Sequence, residues 1–156
     1  MSHASKGRRR LISWIRTADG DGAMTSAELR IDIVILACAV SAGIHAALVE
    51  DHFREGIGAG LGFVGATVLL AAAALALTRK PSQVVFVATA ALFIGLIAGY
   101  GFAISTGVPV LHPDVEAVDG LALFTKAVEG VGVVAAASLV RRPSFTFLTH
   151  PKGTTT

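Results

Sequence analysis

The chain has 156 residues, of which 53% are hydrophobic and 15% charged, and its formal net charge is +2 at pH 7. Its mean hydropathy is +0.69, and its apolar residues fall in unbroken runs instead of alternating with polar ones. These properties exclude a water-soluble domain with an amphipathic core. The basic residues form no patch interleaved with aromatic residues, so binding to nucleic acid is not predicted either.

Residues 1–30 are mostly polar and are predicted to form a cytoplasmic or interfacial arm. Within this arm, Trp14 and Ile15 lie beside arginines, a combination suited to the level of lipid head groups.

Four apolar runs follow the arm, and each is predicted to be a transmembrane helix. They cover residues 33–49, 57–78, 83–105 and 120–140. Runs of this length cross a hydrocarbon core of about 30 Å when they rise about 1.5 Å per residue. Helices are expected because backbone groups in lipid have no water to bond, and the runs lack the alternation of barrel strands. The sequence therefore predicts an all-α polytopic membrane protein, a four-transmembrane-helix up-down bundle over residues 31–142, with a tail at 143–156.

The positions of the lysines and arginines predict on which side of the membrane each loop lies. Eleven of them lie before the first run, between the second and third runs, or after the fourth: Lys6, Arg8, Arg9, Arg10, Arg16, Arg30, Arg79, Lys80, Arg141, Arg142 and Lys152. Only Arg54 lies in the other two loops. By the positive-inside rule, both termini and the loop around Lys80 are predicted to be cytoplasmic, and the other two loops to face outward.

Glycines four residues apart occur in the second and third runs, as Gly58 with Gly62 and as Gly95 with Gly99. Pairs of small residues at this spacing allow helix backbones to approach closely in lipid. We therefore expect these glycines to serve helix packing.

Seven residues in and between the first two runs follow a recurring pattern: Gly43, Ile44 and His45, then His52 and Glu55, then Gly62 and Phe63. The succession resembles a recurring pattern in four-span integral membrane proteins of unknown function from high-GC, actinobacterial-type bacteria. The resemblance covers roughly residues 40–140. It implies the same topology and a bacterial plasma membrane, and it implies no activity or functional residue.

Polar side chains interrupt the apolar runs near their predicted outer ends: His45, Tyr100, Lys126 and Glu129. At about 1.5 Å per residue, His45, Tyr100 and Lys126 lie at comparable depth, and Glu129 lies about one turn deeper. Because a charged group inside a span costs about 2.5 to 3.5 kcal/mol on insertion scales, these residues require an explanation. We expect an intramembrane polar cluster between the helices.

Two interpretations of these polar residues remain open. In the first, Lys126 and Glu129 lie three residues apart on one helix face and neutralise each other, while His45 bonds a backbone carbonyl. In the second, the first helix continues outward, so that His45, His52 and Glu55 share one face that receives a metal ion.

The metal hypothesis uses histidines and carboxylates of the two outer loops. Its candidate ligands are His52, Glu55, His112 and Glu116, and zinc or copper(II) suits such a mixture of imidazole and carboxylate. His45 and His52 are two turns apart, about 11 Å, which is too far for both to bind one ion from a straight helix.

The favoured function is an accessory or scaffold membrane protein whose outward-facing cluster binds a metal ion or a partner. The alternatives are a small proton-linked or metal-linked transporter that works as an oligomer, with Glu129 in its pathway, and a haem-binding redox protein. No H-E-x-x-H, G-x-S-x-G or P-loop motif occurs, so an enzyme is not predicted. The expected partners are the lipid bilayer, other membrane proteins or further copies of the chain.

Overall fold

A computed structural model describes residues 24–106 and 118–140. All regular secondary structure in these two ranges is helical, in the order α1 (Ser26–Glu55), α2 (Ile57–Arg79), α3 (Gln83–Ser105) and α4 (Gly120–Leu139). Each of the four helices is long and apolar enough to cross a membrane. The predicted all-α, four-transmembrane-helix bundle is therefore confirmed. The predicted arm before Met24 and the tail from residue 141 onward lie outside the described residues.

Helix α1 is longer than the apolar run from which it was predicted. It starts after a capping box, in which the Thr25 hydroxyl accepts the Glu28 N–H at 3.2 Å and the Glu28 carboxylate accepts the Thr25 N–H at 2.8 Å. It ends at Glu55, and Gly56 is the single residue that joins it to α2. At about 1.5 Å per residue its 30 residues extend about 45 Å, so both of its polar ends project beyond a hydrocarbon core.

Helices α3 and α4 also begin at hydrogen-bonding caps. The Ser82 hydroxyl accepts the Val85 N–H at the start of α3, and the Asp119 carboxylate accepts the Ala122 N–H at 2.7 Å at the start of α4. We call the end of the bundle that contains the α1–α2 turn and the start of α4 the Gly56 end. The opposite end, with the α2–α3 turn, is the Lys80 end.

The helices pack in a ring. Helix α1 packs against α2 and α4, α3 packs against α4, and the contact between α2 and α3 is the least extensive of the four. The apolar core of the bundle is made of fully or nearly fully buried side chains: Val34, Ala37, Cys38, Ala42, Leu70, Leu77, Phe86, Phe93, Ala135 and Ala136. Most of each helix surface lies outside this core, as expected where lipid covers a bundle.

Close helix approaches occur at glycines other than the predicted ones. A Cβ atom on Gly132 of α4 would meet the ring of Phe93 on α3, and one on Gly60 of α2 would meet the ring of Phe53 on α1. By contrast, a Cβ atom on Gly62, Gly95 or Gly99 would meet nothing within 4 Å. For those three residues the predicted packing role is wrong, because they lie on α2 and α3, whose mutual contact is the least extensive.

Candidate functional site

A cavity of about 590 Å³ lies between the four helices at the Gly56 end. Every helix contributes to its wall, and most of the lining is apolar, including the Phe63 ring of α2. The polar lining includes His45 and His52 of α1, Tyr100 of α3 and Lys126 of α4. Gly62, Gly95 and Gly99, which make no close helix contact, also line this cavity, so their missing side chains enlarge it.

A buried ion pair lies against the cavity wall. Glu129 is fully buried, and one of its oxygens accepts a hydrogen bond from Lys126 Nζ at 2.6 Å. Its other oxygen accepts a hydrogen bond from Ser41 Oγ at 2.8 Å, and Lys126 Nζ also donates to the Leu96 carbonyl at 3.3 Å. Both carboxylate oxygens thus have a partner, which is the condition under which a buried charge is tolerated.

His45 lies beside this pair and is also buried. Its Nδ1 atom is 2.8 Å from the Ser41 carbonyl oxygen, which can only accept, so Nδ1 carries a proton. In the neutral ring Nε2 is then the hydrogen-bond acceptor. The Ser41 hydroxyl is 3.4 Å from the same Nδ1 atom, so Ser41 connects His45 with Glu129.

His52 repeats this arrangement two turns nearer the Gly56 end. Its Nδ1 donates to the Leu48 carbonyl at 2.9 Å, and its ring stacks on Phe63 with 3.6 Å between the ring centroids. The His45 ring also faces Phe63, with 5.2 Å between centroids. Nε2 of His52 lies 3.9 Å from a carboxylate oxygen of Glu55. One aromatic ring of α2 therefore contacts both histidines of α1.

Tyr100 completes the polar wall of the cavity. The ammonium group of Lys126 lies 5.6 Å from the centroid of the Tyr100 ring, within the range of a cation–π contact. The Tyr100 hydroxyl is buried and has no hydrogen-bond partner among the described residues. Because nearly all buried polar groups are hydrogen-bonded, a hydroxyl without a partner beside a cavity is a candidate hydrogen-bond donor to a bound ligand.

The residues of the predicted intramembrane cluster lie together. Lys126 contacts both Glu129 and Tyr100, and His45 reaches Glu129 through Ser41. Both open interpretations describe part of this arrangement, because the charges pair and His45 bonds a carbonyl, while α1 also continues beyond the apolar run to His52 and Glu55.

The predicted metal site is described only in part. His52 and Glu55 are neighbours on α1, whereas His112 and Glu116 lie outside the described residues. Within residues 24–106 and 118–140, no three histidine, cysteine, aspartate or glutamate side chains are grouped so that they could hold a metal ion. Binding of zinc or copper stays a prediction.

The cavity itself is the feature that sequence reasoning missed. Its signal was the glycine spacing, since Gly58 with Gly62 and Gly95 with Gly99 each expose a strip of bare backbone on one helix face. Such a strip serves packing where a neighbouring helix lies against it, and it widens a cavity where none does. The sequence does not distinguish these cases.

No protein-family model, no curated protein and no solved structure matches the chain. The fold and the site define a four-helix membrane protein with a cavity at one end.

Proposed function

We propose that the protein is an accessory membrane protein that binds a small molecule in the cavity at its Gly56 end. The observation that carries the proposal is the cavity itself, which is walled by all four helices and lined by several hydrogen-bonding side chains. Its volume of about 590 Å³ is within the range of about 300 to 1,000 Å³ that small-molecule sites occupy. A mostly apolar wall with a few convergent polar groups is also the usual composition of such sites.

The cost of the polar groups supports a binding role. A lysine and a glutamate inside a span are expensive, and apolar residues of similar volume would pack as well or better. Lys126 lines the cavity, whereas Glu129 is not part of the cavity wall and neutralises the charge of Lys126. This arrangement keeps a donor at the cavity wall without leaving an uncompensated charge in the bundle.

Binding is favoured over transport by the packing at the other end. Fully buried Leu70 and Phe93 belong to the apolar core that lies beyond the cavity. A transporter needs its site to open alternately to both sides of the membrane, commonly by movement of one half of the protein against the other. The polar groups of the cavity lie at one end of a single, continuous bundle, which supports a site reached from one side.

The charge distribution supports an outward orientation of the cavity. Eleven lysines and arginines flank the Lys80 end or lie in the terminal segments, whereas only Arg54, near the end of α1, lies outside the predicted spans at the Gly56 end. Under the positive-inside rule the ligand then comes from the outer side of a bacterial plasma membrane, or from its outer leaflet.

The proposal is tested by filling the cavity. Gly95→Leu places a side chain in the cavity, where a Cβ atom meets nothing within 4 Å. Gly101→Leu adds the same side chain to the same helix at an open position that does not line the cavity. Wild type and both variants are purified in mild detergent, and the bound small molecules are extracted and quantified by mass spectrometry.

We expect one small molecule to accompany the wild type and Gly101→Leu, and its amount to fall about tenfold or more with Gly95→Leu. A tenfold loss corresponds to about 1.4 kcal/mol, which is less than the steric cost of a filled site. Equal amounts in all three proteins would contradict a binding function for the cavity.

A further inference from the structure

We infer that the cavity binds a neutral, lipid-soluble molecule that presents a carbonyl oxygen to Lys126 and Tyr100. The inference rests on the proposed binding function and adds the chemical class of the ligand. It follows from the hydrogen-bonding groups at the cavity wall, from the charges around these groups and from the shape of the apolar part of the wall.

Two donors at the wall define the polar end of the ligand. The Tyr100 hydroxyl is buried without a partner among the described residues, and the Tyr100 side chain lines the cavity. The Lys126 ammonium has three N–H donors, and the structure gives it two acceptors, Glu129 and the Leu96 carbonyl. Since Lys126 Nζ lies 5.6 Å from the Tyr100 ring centroid, both donors belong to one part of the wall. A ligand oxygen placed there accepts from Lys126, and it accepts from Tyr100 once the buried hydroxyl turns toward the cavity.

The charges around these donors favour a neutral acceptor over an anion. The positive charge of Lys126 is already neutralised by the fully buried Glu129. An anionic ligand would therefore add an uncompensated negative charge to a region of low dielectric, which is costly. Three further carboxylates, those of Asp51, Glu55 and Asp119, line the cavity toward its mouth and would repel an anion. A carbonyl oxygen accepts the same hydrogen bonds without carrying a net charge.

The remaining wall suits a planar, apolar group. The Phe63 ring forms one part of it, and the bare backbone at Gly62, Gly95 and Gly99 forms another. Lys126 is six residues into α4, about 9 Å along the helix, so the polar end of the ligand lies below the helix end among apolar residues. A molecule that reaches this depth must be soluble in lipid. A quinone ring, which is flat and carries carbonyl oxygens, has all of these properties.

The test compares two probes that each contain a ten-carbon chain, decylubiquinone and decanoate. Thermal unfolding of the purified protein in detergent is followed at increasing concentrations of each probe, since a molecule that binds the folded state raises the midpoint. We expect decylubiquinone to raise the midpoint of the wild type and of Gly101→Leu, and decanoate to leave both unchanged. Gly95→Leu should not respond to either probe.

Tyr100→Phe separates recognition from folding. The variant removes a hydroxyl that has no described partner, so the midpoint without probe should stay the same or rise. The affinity for decylubiquinone should fall about tenfold, as expected when one hydrogen bond to a ligand oxygen is lost. A hydroxyl with a purely structural role would instead lower the midpoint and leave the affinity unchanged.

Each failure is distinguishable from a failure of the proposed function. Unchanged affinity in Tyr100→Phe, or binding of decanoate as tight as that of decylubiquinone, overturns the inference. If a molecule accompanies the wild type and is lost from Gly95→Leu, yet decylubiquinone neither binds nor displaces it, the inference fails and the binding function stands. If the wild type carries no molecule and neither probe binds, both fail.

Discussion

At the residue scale, the buried pair of Lys126 and Glu129 is the most consequential feature of the chain. Glu129 is fully buried, and its two oxygens are bonded to Lys126 and to Ser41. In such a pair the Coulombic attraction and the desolvation cost nearly cancel, so the pair as a whole adds little stability. Removing one partner leaves the other as an uncompensated charge in the apolar interior, and this asymmetry makes the pair testable.

Lys126→Met should destabilise the folded protein by about 3 kcal/mol, because Glu129 then retains only the Ser41 hydrogen bond. The double variant, Lys126→Met with Glu129→Gln, should recover most of this loss, since neither side chain is then charged. The free energy of unfolding in detergent measures both effects, and their difference gives the coupling between the two residues. Equal destabilisation by the single and the double variant would show that the residues do not compensate each other.

The two histidines show how backbone carbonyls fix a ring. His45 and His52 each donate Nδ1–H to the carbonyl four residues earlier in α1. This bond sets the tautomer and leaves Nε2 as the acceptor of the neutral ring. Metal-binding histidines are often oriented by the same kind of bond, so His52 is suited to the predicted metal site even though its partners on the second loop lie outside the described residues.

At the element scale, the contact between α3 and α4 depends on one glycine. The fully buried Phe93 ring of α3 occupies the space that a side chain at Gly132 of α4 would need. Since protein interiors are close-packed, neither the ring nor the helix has room to move without loss of other contacts. By comparison, Gly60 faces Phe53, whose side chain is 41% exposed and can move aside.

Gly132→Ala should therefore destabilise the protein by about 1 to 3 kcal/mol through overpacking against Phe93. Gly130→Ala, two residues away on the same helix, should leave stability unchanged or raise it by up to about 1 kcal/mol, because its Cβ atom meets nothing within 4 Å and alanine favours a helix more than glycine does. Thermal or denaturant unfolding in detergent compares the two variants. Similar behaviour of both would show that Gly132 is not a close contact in the folded bundle.

The end of α1 determines how far the histidine face extends. Because the helix continues to Glu55, His45 and His52 both line the cavity, and Glu55 follows at its rim. A helix that ended with the apolar run at residue 49 would not carry His52 into the cavity wall. Gly56 then reverses the chain in a single residue, which holds α2 with Phe63 against the two histidines.

At the scale of the whole molecule, the distribution of basic residues predicts the direction of insertion. Reporter fusions placed after Lys80 or Arg142 should report a cytoplasmic position, and fusions within residues 51–55 or 113–119 an external one. Paired reporters that are active on opposite sides of the membrane measure this directly. An opposite signal at any one of the four positions would contradict the predicted orientation, and with it the proposal that the cavity faces outward.

The number of spanning helices, and the extent of all but α1, could be predicted from the sequence because they depend on local properties. A hydrocarbon core of about 30 Å requires about 20 apolar residues in a row, and a backbone in lipid must satisfy its own hydrogen bonds. Both conditions can be checked on the one-dimensional chain. The comparable depths of His45, Tyr100 and Lys126 followed in the same way, from the helical rise along each run.

Only the tertiary structure decided which helices meet and where they leave space. Ser41 and Glu129 are 88 residues apart, and their hydrogen bond depends on the packing of α1 against α4. The same spacing of small residues could serve close packing or widen a cavity. At Gly62 and Gly95 it widens the cavity, because the contact between α2 and α3 is the least extensive in the bundle. The sequence could not decide this, because an unbroken apolar run shows that a helix lies in lipid or protein without showing which neighbour covers each face.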